Sequence, residues 1–62
     1  MGKIEEKIKE ELLKEANGQI DGLFDFLANR VEMEPAAIQK LIEQLNGLKT
    51  AVYDAVKGGK LP

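Results

Sequence analysis

The side chains that could take part in acid–base or metal chemistry are carboxylates, lysines, one arginine and one tyrosine. Histidine and cysteine are absent, so the chain lacks the usual proton-transfer group at neutral pH and the commonest zinc ligands. Serine is also absent, which excludes a Ser-His-Asp triad. Asp21 and Asp25 lie four residues apart with no accompanying partner group, a pattern more typical of solvated surface acids than of a catalytic pair. We therefore expect no enzymatic activity, catalytic residue, metal site or cofactor.

The string from Asn17 to Asp21 resembles the middle of an EF-hand calcium loop, in which glycine occupies the sixth position. Aligning Gly18 with that glycine puts Leu13 at the first position and Phe24 at the twelfth, where carboxylates are needed. Without both carboxylates, too few oxygen ligands remain for Ca²⁺. The string is better interpreted as a turn or a helix kink.

The elements that position these residues must form one small domain. The chain has 62 residues, of which 44% are hydrophobic and 32% are charged, and its formal net charge is -2. A chain of this length buries only about 60% of its unfolded surface, so a core of its own is marginally stable. With no cysteine, disulfides cannot add stability. We therefore expect oligomerisation to stabilise the fold.

Pro35 is the strongest boundary signal in the sequence, because proline is favoured at the first position of a helix and disfavoured inside one. After it, apolar residues recur at alternating spacings of three and four, which predicts an amphipathic helix over about residues 35–57. Gly58 and Gly59 follow, and glycine is common just beyond a helix end. We expect residues 58–62 to form a flexible C-terminal tail.

The first half of the chain keeps the same spacing from Leu13 through Leu27, which predicts a helix over about residues 3–32. Asn17-Gly18 interrupts this pattern with a common turn dipeptide, and an interior glycine costs about 1 kcal/mol relative to alanine. Two interpretations stay open: one long helix, or a break near Gly18 that gives three helices. We favour the long helix. In its first turns, Glu5 precedes Lys9 by four residues, so we expect a solvated intrahelical ion pair there.

The predicted fold is therefore all-α, a single domain of residues 1–57 in which helices over about 3–32 and 35–57 form a long hairpin. Two helices cannot enclose a core by themselves, so their apolar stripes would remain partly exposed to solvent. A homo-oligomer, most simply a dimeric four-helix bundle, would bury that surface. A three-helix bundle with a break near Gly18 is the alternative.

Two sets of residues are predicted to make contacts between molecules. The self-association set follows the main apolar stripe and comprises Ile20, Leu23, Leu27, Ile38, Leu41, Leu45, Leu48 and Val52. The second contact strip is rotated around the first helix from that stripe and is predicted to contact the unidentified protein partner. It comprises Ile4, Ile8, Leu12, Phe26 and Met33.

The expected function is that of a small self-associating protein–protein interaction module: an adaptor, inhibitor or assembly component of the phage- or plasmid-type accessory kind. Its expected partners are another copy of itself and an unidentified protein. The alternative is a nucleic-acid-binding helical-hairpin regulator. Residues 35–62 carry four lysines against two acids, but residues 1–16 interleave four lysines with five glutamates, and phosphate binding requires a basic face. Nucleic acid is therefore the less favoured partner.

The localisation is predicted to be cytoplasmic. Charged and aliphatic residues alternate from Met1 to Lys14, so no apolar segment of a signal peptide is present there. No apolar run approaches the roughly 18 residues that a membrane span needs, and we expect no membrane contact.

Overall fold

A computed structural model describes residues 2–62, which contain two α-helices and no strand. The first helix, α1, spans Gly2–Arg30, and the second, α2, spans Pro35–Gly58. They pack side by side in antiparallel directions as a hairpin that measures 48 × 17 × 15 Å. The predicted all-α helical hairpin is thereby confirmed.

The first helix is continuous through Asn17 and Gly18, so the alternative with a break near Gly18 is wrong. No glycine in the described residues has a positive φ, and Gly18 keeps a helical conformation. Leu13 and Ile20, on either side of this dipeptide, are both buried. Packing on both sides holds one helical register and outweighs a propensity cost of about 1 kcal/mol.

The chain reverses direction between residues 31 and 34. The helix α1 ends at Arg30, earlier than the predicted residue 32, although the Val31 N–H still donates to the Leu27 carbonyl at 2.9 Å. Glu34 is extended, with φ -70° and ψ 153°, as the steric demand of a following proline favours. Its carbonyl accepts the first hydrogen bond of α2, from the Ile38 N–H at 3.0 Å.

The far end of α2 is closed by a side chain of α1. Gly59, which follows the last helical residue, has φ -86° and ψ 175°, so no left-handed glycine terminates the helix. Instead, the Nζ of Lys9 donates to the carbonyl oxygens of Lys57 at 3.2 Å and Gly59 at 2.7 Å. A Cβ on Gly59 would lie 2.8 Å from the carbonyl oxygen of Ala55, so close backbone approach is what requires glycine here.

The core between the helices is thin. In the part of the chain that the structure describes, Leu13 and Ile20 are the only buried apolar side chains, and they retain 9% and 7% exposure. Half-buried residues line the rest of the contact between the helices: Ala16, Phe24, Leu27, Ile38, Leu41, Leu45, Val52 and Val56. The reason is geometric, because two helices can cover only one side of each other.

Candidate interaction surface

The hairpin exposes an unusually large surface for its mass. Its accessible area is 5178 Å². A compact folded protein of this mass is expected to expose about 4,000 Å², so this chain exposes about 1,200 Å² more. Much of that surface is apolar, since nine large hydrophobic side chains are exposed: Ile4, Ile8, Leu12, Leu23, Phe26, Val31, Ile42, Leu48 and Tyr53.

Most of these side chains lie on one side of the hairpin. Successive residues of an α-helix are rotated by about 100°. On α1, the exposed residues Ile8, Leu12, Leu23 and Phe26 lie about 60–120° to one side of the line of residues that packs against α2.

On α2, Leu48 lies about 60° from the line that packs against α1, and it is displaced in the same rotational sense. Because the helices are antiparallel, the same rotational sense on both points to the same side of the hairpin. Ala51 and Ala55, also exposed, lie beside Leu48 on that side. We call the combined surface the apolar face, and it comprises Ile8, Leu12, Leu23, Phe26, Leu48, Ala51 and Ala55.

The opposite side of the hairpin, which we call the polar face, comprises Asp21, Ile42, Lys49 and Tyr53, and it contains an ion pair between the helices. The Oδ1 of Asp21 lies 2.6 Å from the Nζ of Lys49, and both side chains remain partly exposed. A shallow groove beside this pair is lined by Asp21, Phe24, Asp25, Ile42, Leu45, Asn46 and Lys49. Of Asp21 and Asp25, the two acids spaced four residues apart, Asp21 therefore forms an ion pair with a residue of the other helix.

Lys9 is buried, retaining 9% exposure, and the expectation of a fully solvated charge at this position is wrong. The predicted ion pair does form, with the Nζ of Lys9 3.7 Å from the Oε2 of Glu5. The same Nζ also binds two α2 carbonyls, which the spacing of residues within α1 did not predict. The position of Lys9 in the helical repeat could have indicated its burial. Lys9 precedes the buried Leu13 by four residues, so both lie on the same side of α1.

The two predicted sets of contact residues do not form two separate surfaces in the structure. Six members of the self-association set lie in the contact between the two helices of one chain: Ile20, Leu27, Ile38, Leu41, Leu45 and Val52. Leu23 and Leu48, the other two members, are exposed on the apolar face.

The second contact strip supplies three further members of the apolar face, namely Ile8, Leu12 and Phe26. Ile4 is exposed near the start of α1, where it borders a surface depression together with Ile8 and Leu61. Met33 lies in the loop after α1 has ended and is half-buried, so it does not continue the helical strip. Members of both predicted sets therefore meet on a single surface.

No protein-family model matches this chain, and neither the curated proteins nor the solved structures show a significant match. Over residues 2–62, neither helix has the combination of length and hydropathy required to cross a bilayer. Within that same range, no group of three or more acidic side chains converges as a metal site would require. The fold and the surface define an antiparallel two-helix hairpin with one exposed apolar face.

Proposed function

We propose that this chain is a self-associating helical protein–protein interaction module, in which the apolar face packs against the same face of a second copy. Two hairpins joined in this way form a four-helix bundle. The proposal rests on one observation: large, exposed apolar side chains from both helices lie on the same side of the hairpin.

The area of the surface supports a second copy as the occupant. Each chain exposes about 1,200 Å² more than a compact protein of its mass, so two copies could bury about 2,400 Å² in total. Obligate homodimers bury about 2,000–5,000 Å². Such an interface would supply the core that Leu13 and Ile20 alone do not provide, and it would couple folding to association.

The polar face supports protein contacts over the alternative of nucleic-acid binding. Lys49, one of the four lysines near or on α2, is held by Asp21 at 2.6 Å. The Nζ of Lys57 lies 5.8 Å from the centroid of the Tyr53 ring. In the proposed dimer both polar faces point outward, and we assign to them the contacts with another protein that an adaptor, inhibitor or assembly component makes.

Sedimentation equilibrium of the wild-type chain and of two matched variants tests the proposal. Leu48 and Ile42 are 44% and 43% exposed on the same helix, but they lie on opposite sides of it. Leu48→Asp should raise the dimer dissociation constant about 100-fold or more, because a charge would be buried in the interface. Ile42→Asp should leave it nearly unchanged. A wild-type monomer at all concentrations, or equal effects of the two variants, would contradict the proposal.

A further inference from the structure

We infer that the two copies pack with their long axes antiparallel, so that the loop end of each hairpin lies against the open end of the other. The inference rests on the proposed self-association and concerns the arrangement of the two copies. It follows from the charges that border the apolar face.

These charges are segregated along the hairpin. Arg30, in the last turn of α1, and Lys40, in the second turn of α2, border the loop end of the face. Glu5 borders it near the open end and Glu15 near the middle of α1, and both lie on the same side of α1 as the apolar residues. Glu5 remains 45% exposed at its side chain even though it contacts Lys9. Glu32 and Glu34 lie in the loop and are exposed, so the segregation concerns the helical residues that border the face.

Arg30 is held at the face by two contacts with Phe26. Its guanidinium carbon lies 4.0 Å from the centroid of the Phe26 ring, and its Nη1 donates to the Phe26 carbonyl at 3.4 Å. The positive charge is therefore located over the largest side chain of the apolar face. Any second copy that covers Phe26 must also accommodate the charge on Arg30.

Two symmetric arrangements bury one apolar face against the other. If both loops lie at the same end, the Arg30 and Lys40 side chains of both copies gather there, and the glutamates gather at the opposite end. If the loops lie at opposite ends, α1 packs antiparallel to the α1 of the second copy. Each Arg30 then approaches the end of the partner helix that contains Glu5. Opposite charges across an interface stabilise it and like charges oppose it, so the antiparallel arrangement is favoured.

Distances between spin labels test this arrangement directly, because the chain contains no cysteine and one can be introduced at a chosen position. Glu34→Cys places a label in the loop, where the glutamate side chain makes no capping hydrogen bond. Gly47→Cys places a label near the middle of α2, where a Cβ meets no other atom within 4 Å. The label at residue 47 should give a short distance in either arrangement, and thereby report that the dimer has formed.

With antiparallel copies, the two labels at residue 34 should be separated by a distance comparable to the 48 Å length of the hairpin. With both loops at one end, they would be separated by about one or two helix spacings, roughly 10–20 Å. A short distance at residue 34 overturns the inference and leaves self-association intact. Absence of dipolar coupling at residue 47 overturns self-association, and the inference with it.

Charge reversal provides an independent test, since its effect has opposite signs in the two arrangements. Arg30→Glu should weaken an antiparallel dimer on the order of tenfold, because symmetry repeats the altered contact. Arg30→Gln removes the charge and the stacked guanidinium without adding a negative charge, so it should weaken the dimer less. A dimer that is tighter or unchanged with Arg30→Glu overturns the inference.

Discussion

The Nζ of Lys9 lies 2.7 Å from the carbonyl oxygen of Gly59, so a side chain of the first helix caps the end of the second. The same ammonium group also binds the Lys57 carbonyl, within the last turn of α2. Carbonyls at a helix C-terminus lack intrahelical donors and have partial negative charge, which a cation neutralises. This contact joins residues 50 positions apart and fixes how far α2 extends along α1.

Replacing Lys9 with methionine should therefore destabilise the protein. Lys9→Met keeps much of the side-chain length but leaves two partly buried carbonyls without their donor, at a cost of about 1–3 kcal/mol in the free energy of unfolding. Lys7→Met alters an exposed lysine on the same helix and should change it by less than about 0.5 kcal/mol. Urea unfolding at one fixed chain concentration measures both. Equal stability of the two variants would show that the cap contributes nothing.

The two adjacent glycines at the end of α2 should respond to alanine in opposite directions. A Cβ at Gly58 meets no other atom within 4 Å. Gly58→Ala should therefore stabilise the protein by about 0.4–1 kcal/mol, because alanine lowers the conformational entropy of the unfolded chain. A Cβ at Gly59 would meet the Ala55 carbonyl oxygen at 2.8 Å, so Gly59→Ala must displace the backbone that Lys9 binds.

We expect Gly59→Ala to lower the free energy of unfolding by about 1–3 kcal/mol, the usual range for an added methyl group without space. Thermal unfolding followed by circular dichroism compares the two variants under identical conditions. A stabilising effect of both substitutions would mean that the end of α2 moves away from Ala55 at little cost.

The hairpin itself could be predicted from the sequence, because Pro35 marks a boundary and the apolar spacing continues on both sides of it. The end of α1 was predicted less well. Residues 28–32 contain no glycine or proline, so no local signal marks Arg30 as the last helical residue. The helix ends there because the chain must reverse direction before Pro35, and that requirement depends on the packing of α2.

The apolar face was predicted in part. Helical spacing selected Leu23, Phe26 and Leu48 as candidate contact residues, and all three are exposed on that face, while their contacts stay a prediction. Helical spacing could not distinguish residues that pack between the two helices from residues on the outer surface of the hairpin, since both recur with the same period. The capping contact of Lys9 was missed because it joins residues distant in the sequence, where periodicity holds no information.

Alanine substitutions at the two interior glycines of α1 should stabilise the hairpin. Gly18 and Gly22 lie within the helix, neither has a positive φ, and a Cβ at either position meets no other atom within 4 Å. Each substitution should raise the free energy of unfolding by about 0.5–1 kcal/mol, the difference in helix propensity.

Gly18 lies about 160° around α1 from the line that packs against α2 and about 80° from Phe26, whereas Gly22 lies only about 40° from Phe26 and borders the apolar face. The proposed dimer therefore leaves Gly18 accessible, and Gly18→Ala should not alter its dissociation constant. Urea unfolding and sedimentation equilibrium of each variant check the two expectations. Weaker association of the Gly18→Ala variant would place a partner helix against this glycine, and would thereby contradict the assignment of the interface to the apolar face.

Thermal unfolding should depend on chain concentration, because a dimer that dissociates on unfolding is stabilised by mass action. The midpoint of the wild-type chain should rise steadily as its concentration increases. Phe26→Asp and Leu48→Asp place a charge on the apolar face, so they should lower the midpoint and remove most of its dependence on concentration.

Tyr53→Asp is the matched control for Phe26→Asp, since the two aromatic side chains are 51% and 52% exposed and lie on opposite faces of the hairpin. The Tyr53 variant loses a ring close to Lys57, and its midpoint should fall slightly while keeping the wild-type slope with concentration. If Tyr53→Asp removes the concentration dependence and Phe26→Asp does not, the copies associate through the polar face. A wild-type midpoint that does not vary with concentration would mean that the thin core of one hairpin is sufficient for folding.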